Sequence, residues 1–327
     1  MTNYKPKIIE LLEELKKRDI SKREIWKARA YDVVIKQLMT RVEPITCIED
    51  IDGMKGVGVK IKQKIEEIIA TGDLVQVRNI NEEVGIITEL SRIFGIGPVR
   101  GRELYEKHGI KTIDDLKEHT DLLNEKQLLG LKYYKDFEKR IPRAEMEKHD
   151  TLIKQTIHNI DGKFIVEVMG SYRRGNKDSG DIDVLITHPD NPDNHDVLFA
   201  DIIKELNKMK YLVDTFAQGN KKYNGVSKLK RHRTFRRVDL MYTQLAQHAF
   251  ALLYFTGSQD FNIKLRSRAL EKGYTLNEYG MRYTSGDKKG TFVDQEFKNE
   301  EEVFNFLGLS YIEPTKRNTA KLDDYLL

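Results

Sequence analysis

The stretch GSYRRGNKDSGDIDVLITH, residues 170 to 188, decides the fold class. Its second half, DIDVLIT, predicts a buried strand, because apolar residues alternate with the aspartates and alternate side chains point to opposite faces of a sheet. Asp181 and Asp183 therefore share one face. Two carboxylates this close repel each other unless a cation lies between them, so the stretch predicts a cation site beside a loop rich in glycine, serine and arginine.

The composition is that of a folded protein with apolar cores. The 327 residues are enough for two or three domains, and 39% hydrophobic with 33% charged residues excludes a disordered chain. No apolar run is long enough to cross a bilayer, and the amphipathic N-terminus does not resemble a secretion signal. The single cysteine, Cys47, excludes an intramolecular disulfide and fits an intracellular, reducing compartment.

The distribution of charge says more than the net charge of +4. The run KKYNGVSKLKRHRTFRR (residues 221–237) contains many cations and no acid, and GMKGVGVKIKQK (residues 53–64) repeats the pattern on a smaller scale. A charge run is ordinarily a solvated face. Because both runs are interleaved with glycine or aromatic residues and lie near other motifs, we interpret them as contacts with a polyanion.

The N-terminal third of the chain predicts helices and a repeated turn. Residues 50–68 and 90–109 both have an apolar residue, Met54 or Phe94, one or two positions before Gly-Val-Gly or Gly-Ile-Gly and a helix after it, which is the pattern of a helix-hairpin-helix motif. Glycines permit the tight turn, and backbone N–H groups at the next helix can bind a phosphate without reading a base. The glycines concerned are Gly56, Gly58, Gly95 and Gly97.

From about residue 150 onward, strands and helices alternate, which predicts an α+β sheet domain that begins after a break at Pro142. Asp239 in the strand RRVDLMY is a third acid, and three converging carboxylates form an oxygen-only site suited to Mg²⁺ and to two-metal phosphoryl transfer. Ser171 and Arg174 of the GSYRRG loop supply donors for a phosphate. In the alternative interpretation, Asp181 and Asp183 pair with the arginines at 173 and 174.

The chain resembles the family X DNA polymerases, most closely those of the polymerase beta type. The motifs that carry the resemblance include KARAYDVVIKQL, GVGVKIKQKIEEIIATG, FGIGP, GSYRRG, SGDIDVLITHP, RRVDLMY and LYFTGSQDFN. It implies an α+β chain with an N-terminal all-helical lyase domain, followed by a nucleotidyltransferase-type polymerase domain with helical subdomains around a mixed β-sheet palm. The domains we expect are a lyase domain (1–85), a DNA-binding subdomain (86–145), a catalytic palm (146–252) and a nucleotide-selection subdomain (253–327).

The resemblance also implies residue roles. Asp181 and Asp183 bind two Mg²⁺ ions, and Asp239 binds only the catalytic ion. The residues implied to bind the incoming dNTP are Arg140, Gly170, Ser171, Arg174, Ser179, Gly180, Tyr254, Phe255, Gly257 and Asn262. Those implied to bind DNA, besides the four motif glycines, are Lys27, Tyr31, Lys60, Lys222, Arg237 and Arg266.

For the N-terminal region the resemblance implies a 5′-deoxyribose-phosphate lyase with Lys64 as the Schiff-base amine and Trp26 beside the site. An amine near other cations has a lowered pKa, which favours attack on an aldehyde. The hairpin turns are implied to hold Na⁺ or K⁺ through backbone carbonyls. The matching positions are Asp52, Met54 and Val57 in the first motif and Ser91, Ile93 and Ile96 in the second.

The predicted protein is therefore a monomeric gap-filling DNA polymerase with lyase activity in base excision repair, acting on gapped or nicked DNA and a dNTP. A repair ligase and an AP endonuclease are candidate partners, no membrane is involved, and we expect no BRCT domain. The location expected is the nucleus of a eukaryotic host, or otherwise the cytoplasm or a virion. A template-independent nucleotidyltransferase, a polymerase without lyase activity and a non-catalytic DNA-binding protein remain alternatives.

Several positions depart from the polymerase beta pattern. Gln63 replaces a glutamate before the Schiff-base lysine, and Gln76 replaces an accessory lysine. Met241 replaces an arginine that pairs with the second metal-binding aspartate, and a methionine cannot form that pair. Gln259 and Ile263 replace charged residues near the nascent base pair, so fidelity does not carry over.

Overall fold

A computed structural model of the chain describes residues 2–21, 24–190 and 194–327. The chain folds into two compact units, Met1–Thr120 and Asp121–Leu327. The helices, in chain order, are α1 (Lys5–Ser21), α2 (Ile25–Thr40), α3 (Val59–Thr71), α4 (Val75–Leu90), α5 (Pro98–His108), α6 (Ile113–Glu118), α7 (Glu125–Phe137), α8 (Arg143–Ile160), α9 (Gly170–Arg173), α10 (His195–Lys208), α11 (His248–Thr256), α12 (Gln259–Glu271) and α13 (Glu300–Phe306).

The strands belong to the second unit. They are β1 (Ile141–Pro142), β2 (Ile165–Val168), β3 (Asp178–Ser179), β4 (Ile182–Thr187), β5 (Leu212–Gln218), β6 (Lys222–Ser227), β7 (Arg236–Tyr242), β8 (Tyr274–Asn277) and β9 (Gly280–Tyr283). Short 3₁₀ turns occupy Ile48–Ile51, Thr120–Leu122, Leu245–Gln247, Pro314–Lys316 and Leu322–Tyr325. Among the described residues, every helix is too short or too polar to cross a lipid bilayer.

The first unit is helical, as the sequence predicts. Leucines and isoleucines at helical spacing on α1, α2 and α3 form one buried core, in which Leu12, Ile35 and Ile65 are fully buried. Helix α3 ends at Thr71, and Gly72 follows it with a φ of 73° that a glycine adopts without steric cost. The repeated turns therefore sit on a packed helical frame.

A five-stranded mixed sheet organises the second unit, with the strand order β2-β4-β7-β6-β5. Strands β4 and β7 are parallel, and the other neighbouring pairs are antiparallel. The three strands predicted around residues 165, 184 and 239 are confirmed, and so is the α+β class. Their apolar alternation faces α8 and α10, where the fully buried residues include Ile182, Ile186 and Val238.

The opposite face of the sheet is partly apolar. Leu185 and Met241 pack there with Met169 and with residues of α11, among them Ala251. Met241 is thus a buried core residue, and a sulfur atom stands where the beta-type arginine would lie. A separate apolar core holds α11, α12, α13 and the β8–β9 hairpin together.

Pro142 separates two helices, as the sequence predicts. Helix α7 ends at Phe137 and α8 begins at Arg143, and the two residues of β1 between them pair with β3. Because proline lacks an N–H group and fixes φ, the chain leaves one helix and enters the next at this point. The pairing brings Arg140 beside the loop that precedes β4.

Candidate active site

Three carboxylates converge at one end of the sheet. Asp183 on β4 and Asp239 on β7 are register partners in the parallel pair, and Asp181 precedes β4 directly. One oxygen of each carboxylate lies within 4.8 Å of one oxygen of the other two. The sequence predicted two of these acids on one face, and the parallel pairing adds the third at the same level.

The carboxylate cluster has the electrostatics of a cation site. Burial and the charge of Asp239 raise the pKa of Asp183 to about 7, while Arg174 opposes that rise. The Oδ1 atom of Asp239 is buried and has no hydrogen-bond partner among the described residues. A buried carboxylate oxygen without a donor is costly unless a cation binds it, so these residues fit Mg²⁺.

Asp181 pairs with Arg237, which projects from β7 on the same side. Arg173 and Arg174 bond to other groups, so the alternative in which they pair directly with Asp181 and Asp183 is wrong, although the charge of Arg174 acts on Asp183. The sequence placed Arg237 among the DNA-binding residues and gave no sign of this ion pair, since strand pairing alone brings the two side chains together.

A tight turn after β2 covers the cluster. Gly170 has a φ of 59°, and a Cβ atom there would lie 2.8 Å from Oδ2 of Asp183. The Ser171 hydroxyl donates a hydrogen bond to that of the buried Ser179 (3.0 Å). Only glycine allows this backbone to approach the carboxylate so closely, and the turn therefore places a hydroxyl group beside the acids.

Two arginines flank the turn. Arg174 donates to the Thr256 carbonyl (2.6 Å) and to Oδ1 of Asn318 (2.8 Å). Arg140 donates to Oδ1 of Asp178 (2.8 Å), and its guanidinium lies so close to Gly180 that a Cβ atom there would be 2.9 Å away. Both guanidinium groups thus border the same opening as the carboxylates.

These residues line one open cavity of about 810 Å³, within the range of small-ligand pockets. Nine of the ten residues predicted to bind the nucleotide line it, together with Asp181 and Asp183, whereas Ser179 lies beneath the surface. The sequence interpretation gave no role to two lining residues, Asn176 and Ser258. A larger groove of about 1070 Å³ between α8 and α10 contains none of the predicted site residues.

Helices α11 and α12 form the far wall of the cavity. The rings of Tyr254 and Phe255 meet edge to face at 5.0 Å, and Asn262 donates to the Tyr254 carbonyl (2.7 Å). The guanidinium of Arg266 lies 5.2 Å from the centre of the Tyr254 ring. Gly257, with a φ of 65°, lets the chain turn between the two helices beside Arg174.

A buried ion triad supports the turn from below. Arg173 and Arg317 both donate to Glu300, with distances of 2.8 Å and 2.6 Å, and Glu300 is only 3% exposed. Burial alone would raise the pKa of Glu300, but the charges and hydrogen bonds of Arg317 and Arg173 hold that pKa below its usual value. Sequence reasoning missed this triad, because its members lie more than a hundred residues apart along the chain at the widest.

The two helix-hairpin-helix motifs of the first unit share one backbone pattern. Gly56 and Gly95 have φ values of 87° and 91°, and Gly58 and Gly97 are the N-caps of α3 and α5. The carbonyls of Met54 and Ile93 accept matching hydrogen bonds from the residues three positions later, at 3.2 Å and 3.0 Å. The predicted repeat is therefore a repeat in structure.

The implied carbonyl ligands fall within these two turns. The N–H groups of Met54 and Ile93 each bond to the residue three positions earlier, at 3.2 Å in both motifs. The Asp52 side chain accepts from Lys62 (2.5 Å), and Ser91 is the C-cap of α4. Whether Val57, Ile96 and the other carbonyls bind Na⁺ or K⁺ stays a prediction.

Lys64 lies on α3 near the C-terminal end of α1. Burial lowers its pKa, with further contributions in the same direction from Arg18 and Lys60, whereas Glu67 and Asp19 oppose them. The direction agrees with the sequence interpretation, but the largest cause is burial rather than neighbouring cations. Among the described residues, the fully buried Asp19 holds Arg18 at 2.6 Å through Oδ1, and its Oδ2 has no hydrogen-bond partner.

The other predicted DNA contacts have varied surroundings. Lys27 pairs with Glu24 (2.6 Å) and lies 5.2 Å from the ring of Trp26, which is 71% exposed. Tyr31 is part of the helical core, and Lys60 is exposed. Lys222 on β6 contacts the hydroxyl of Tyr279 (3.4 Å) in the β8–β9 turn.

Comparisons with known proteins match the whole length of this arrangement. Family models match as a helix-hairpin-helix domain over residues 3–74, the fingers domain of DNA polymerase lambda over 88–138, the DNA polymerase beta palm over 140–244 and the DNA polymerase beta thumb over 251–318. The fold and the acidic site define a nucleotidyltransferase-type polymerase architecture. The chain belongs to the family X DNA polymerases.

Three curated relatives illustrate the similarity. DNA polymerase lambda of Rattus norvegicus is 31% identical over 331 residues, and that of Arabidopsis thaliana is 31% identical over 303 residues. These matches cover 97% and 87% of this chain, and 57% and 56% of the relatives. The DNA nucleotidylexotransferase of Gallus gallus is 29% identical over 308 residues, which cover 84% of this chain and 60% of that protein. The chain thus spans little more than half the length of these relatives.

Proposed function

We propose that this chain is a template-directed DNA polymerase that fills short gaps and also removes a 5′-deoxyribose phosphate, as in base excision repair. The observation that carries the polymerase part is the meeting of three carboxylates with a cavity lined by arginines, a serine and an aromatic pair. We infer an intracellular protein that acts where gapped DNA is present, alone as a monomer and alongside a repair ligase and an AP endonuclease.

Asp181 and Asp183 would hold both Mg²⁺ ions, and Asp239 would hold only the catalytic ion. Bound Mg²⁺ lowers the pKa of the primer 3′-hydroxyl and offsets charge on the triphosphate. Asp239 is on the primer side. Its buried Oδ1 atom receives no hydrogen bond from the described residues and is therefore available to a cation. Arg237 contacts one carboxylate oxygen of Asp181, so this ion pair would compete with a bound Mg²⁺ for that oxygen.

The walls of the cavity bind the nucleotide. Ser171, Arg174 and Arg140, with the backbone of Gly170 and Gly180, face the triphosphate, and the two arginines counter its charge. Ser179 lies beneath them and acts through its hydrogen bond with Ser171. Tyr254, Phe255 and Gly257 lie beside the sugar, where bulk and backbone exclude a ribose 2′-hydroxyl. Asn262 reaches the minor-groove edge of the base, and Arg266 contacts the template strand and tests the shape of the pair.

The first unit carries the lyase. The half-buried Lys64 has a lowered pKa, so its amine is unprotonated more often and attacks the sugar aldehyde. Lys60 and Lys27 bind the 5′ phosphate, and the backbone at Gly56, Gly58, Gly95 and Gly97 binds phosphates of the DNA strand with Na⁺ or K⁺ in the turns. Gln63 carries no carboxylate, and the acids whose charges act on Lys64 are Glu67 and the buried Asp19.

A template-independent nucleotidyltransferase is the second candidate, because the DNA nucleotidylexotransferase of Gallus gallus is among the relatives. The segment that joins β6 to β7 argues against it. Strand β6 ends at Ser227 and β7 begins at Arg236, which leaves a connection too short to replace a template strand.

One substrate tests both activities: a gapped duplex that bears a 5′ sugar phosphate, supplied with Mg²⁺ and dNTPs. We expect Asp239→Ala to lose primer extension and keep borohydride trapping of the sugar, and Lys64→Ala to show the reverse. Addition to a single-stranded primer without a template would favour the second candidate. Extension without trapping by the unmodified chain would show that the lyase is absent and would leave the polymerase proposal intact.

A further inference from the structure

We propose that the loop between β6 and β7, residues 228–235, is a preorganised cationic contact for the DNA duplex directly upstream of the primer 3′ end. The inference rests on the proposed polymerase function and assigns the partner of the long basic run, whose three cations at the loop tip have no role in the site described above.

The loop is held at both ends. Leu229 is buried in the palm core, and the Lys228 N–H donates to the Tyr211 carbonyl (2.9 Å). At the other end, the Phe235 N–H donates to Oδ2 of Asp136 (3.2 Å), and the Phe235 ring packs 4.8 Å from that of Tyr133. These anchors fix the tip, so little conformational entropy remains to be lost on binding.

The tip presents three cations. Lys230, Arg231 and Arg233 are exposed, and none of them has a hydrogen bond or ion pair within the described ranges of the chain. Two acids that lie against the loop are already engaged: Glu145 by Arg236 through two hydrogen bonds of 2.8 Å and 2.9 Å, and Asp136 by the Phe235 N–H. The cations are therefore free to contact an external anion.

The backbone of the tip has an unusual conformation. Arg231 has a φ of 70°, a region that residues with a side chain rarely adopt, and the turn is closed by a hydrogen bond from the His232 N–H to the Leu229 carbonyl (3.0 Å). Such a conformation persists only where the surrounding structure imposes it. Here it turns the charged side chains away from the palm core.

The strand order places this tip on the primer side of the carboxylates. The nucleotide cavity is lined by residues 170–183, Arg140 and residues 254–266, and by no described residue of β6 or β7. In phosphoryl transfer the attacking and leaving oxygens lie in line, on opposite sides of the transferred group. Because the nucleotide lies against the turn after β2, the primer end lies toward β7 and β6.

The reach of the loop identifies the DNA segment. Arg233 precedes Asp239 by six residues, which span at most about 20 Å of extended chain. At a rise of about 3.4 Å per base pair, Arg233 lies within about six base pairs of the reacting 3′ end, and Lys230, three residues earlier in the chain, within about nine. The phosphates of that duplex carry no sequence information, which suits contacts made by lysine and arginine.

The test compares the unmodified chain with the triple variant K230Q/R231Q/R233Q and the control K204Q/K208Q/K210Q, which removes three exposed cations from the second half of α10 and the turn after it. Fluorescence anisotropy measures binding to a primer–template duplex across a salt series. We expect the loop variant to bind roughly tenfold more weakly near 0.1 M salt, and the slope of log K against log salt to fall by about two to three. The control should match the unmodified chain.

Three outcomes would overturn the proposal. The first is an equal loss of DNA affinity in both triple variants, and the second is an unchanged salt slope for the loop variant. The third is an equal loss of its affinity for a single-stranded template of the same length. Because Arg231 has a positive φ, K230Q/R233Q serves as a second variant that leaves the turn intact; its slope should fall by one to two. If the unmodified chain does not extend a primer, the polymerase proposal fails. If it extends the primer and the loop variants bind normally, only this inference fails.

Discussion

Arg173 and Glu300 form a buried two-hydrogen-bond ion pair, at 2.8 Å and 3.2 Å, between the turn that covers the carboxylates and the start of α13. Arg317 completes the triad from the other side, and its guanidinium packs between the rings of Phe261, Phe304 and Tyr311. The turn that covers the carboxylates is therefore attached to the segment that follows the β8–β9 hairpin. Removing one charge from the triad affects both.

We expect Glu300→Gln to lower the free energy of unfolding of the second unit by about 3–5 kcal/mol, because the buried Arg317 then loses its counter-charge and Arg173 keeps only Glu167, at 3.5 Å. Denaturant unfolding measures the change. Glu301→Gln, at the exposed neighbouring position, is the matched control and should stay within about 0.5 kcal/mol of the unmodified chain. Equal effects of the two substitutions would show that the triad contributes nothing specific.

Gly170→Ala should abolish extension while the protein stays folded. An alanine adds both the strain of a φ of 59° and a Cβ atom 2.8 Å from the Asp183 carboxylate, so the turn and the carboxylate must separate. We expect kcat/KM for primer extension to fall by at least about 100-fold, the effect of misplacing a reacting group by about 1 Å. Steady-state extension assays measure it.

Gly162→Ala is the control for that substitution, since the nearest atom to its added Cβ is a carbonyl oxygen at 4.0 Å and its φ is not positive. Its activity should match that of the unmodified chain. Full activity of Gly170→Ala would show that the close approach of the turn to Asp183 is not needed.

The pH dependence of Schiff-base trapping should respond in opposite directions to two charges near Lys64. Arg18 lowers the pKa of this lysine and Asp19 raises it, so Arg18→Gln should move the trapping curve to higher pH and Asp19→Asn should move it to lower pH. Borohydride trapping at a series of pH values gives the midpoints. Lys17→Gln, at an exposed neighbouring position, should leave the midpoint unchanged.

A shift of both variants in the same direction would indicate disturbed packing rather than charge. A melting curve for each variant separates the two causes, because Asp19 is fully buried and its neutralisation removes one charge of its ion pair with Arg18. Absence of trapping in the unmodified chain at every pH would instead contradict the lyase proposal itself.

His149 should make the second unit sensitive to acid. Burial lowers its pKa to about 4, and its Nδ1 lies 2.8 Å from the Tyr211 hydroxyl. The unfolded chain, with a histidine pKa near 6.5, binds the proton more readily, so this stability is complete above about pH 6.5 and is lost as the pH falls toward 4. The loss amounts to about 3 kcal/mol.

His149→Gln keeps a partner for Tyr211 and does not titrate, so its unfolding free energy should depend less on pH between 6.5 and 4 than that of the unmodified chain. Denaturant unfolding at pH 7 and pH 4.5 measures the difference. His119→Gln, an exposed histidine of the first unit, is the control. Parallel pH dependence in all three proteins would contradict this role.

Much of the fold was predictable because it is encoded locally. The strand at 182–187 and the helix that ends before Gly72 follow from alternation, helical periodicity and a single glycine, each read within a few residues. The paired hairpin turns were predictable for the same reason, since Gly-Val-Gly and Gly-Ile-Gly leave few backbone alternatives. The acidic cluster was predictable once three acids stood on apolar strands.

By itself, the sequence determined which residues carry charge, which positions tolerate a positive φ, and that two aspartates point to one side of a strand. Tertiary structure decided which charges meet: Arg237 with Asp181, Arg173 with Glu300, and Asp19 near Lys64. A local pattern specifies backbone geometry because only a few dihedral angles are involved. A contact between side chains depends on strand order and helix packing across the unit, and these exist only after the chain has folded.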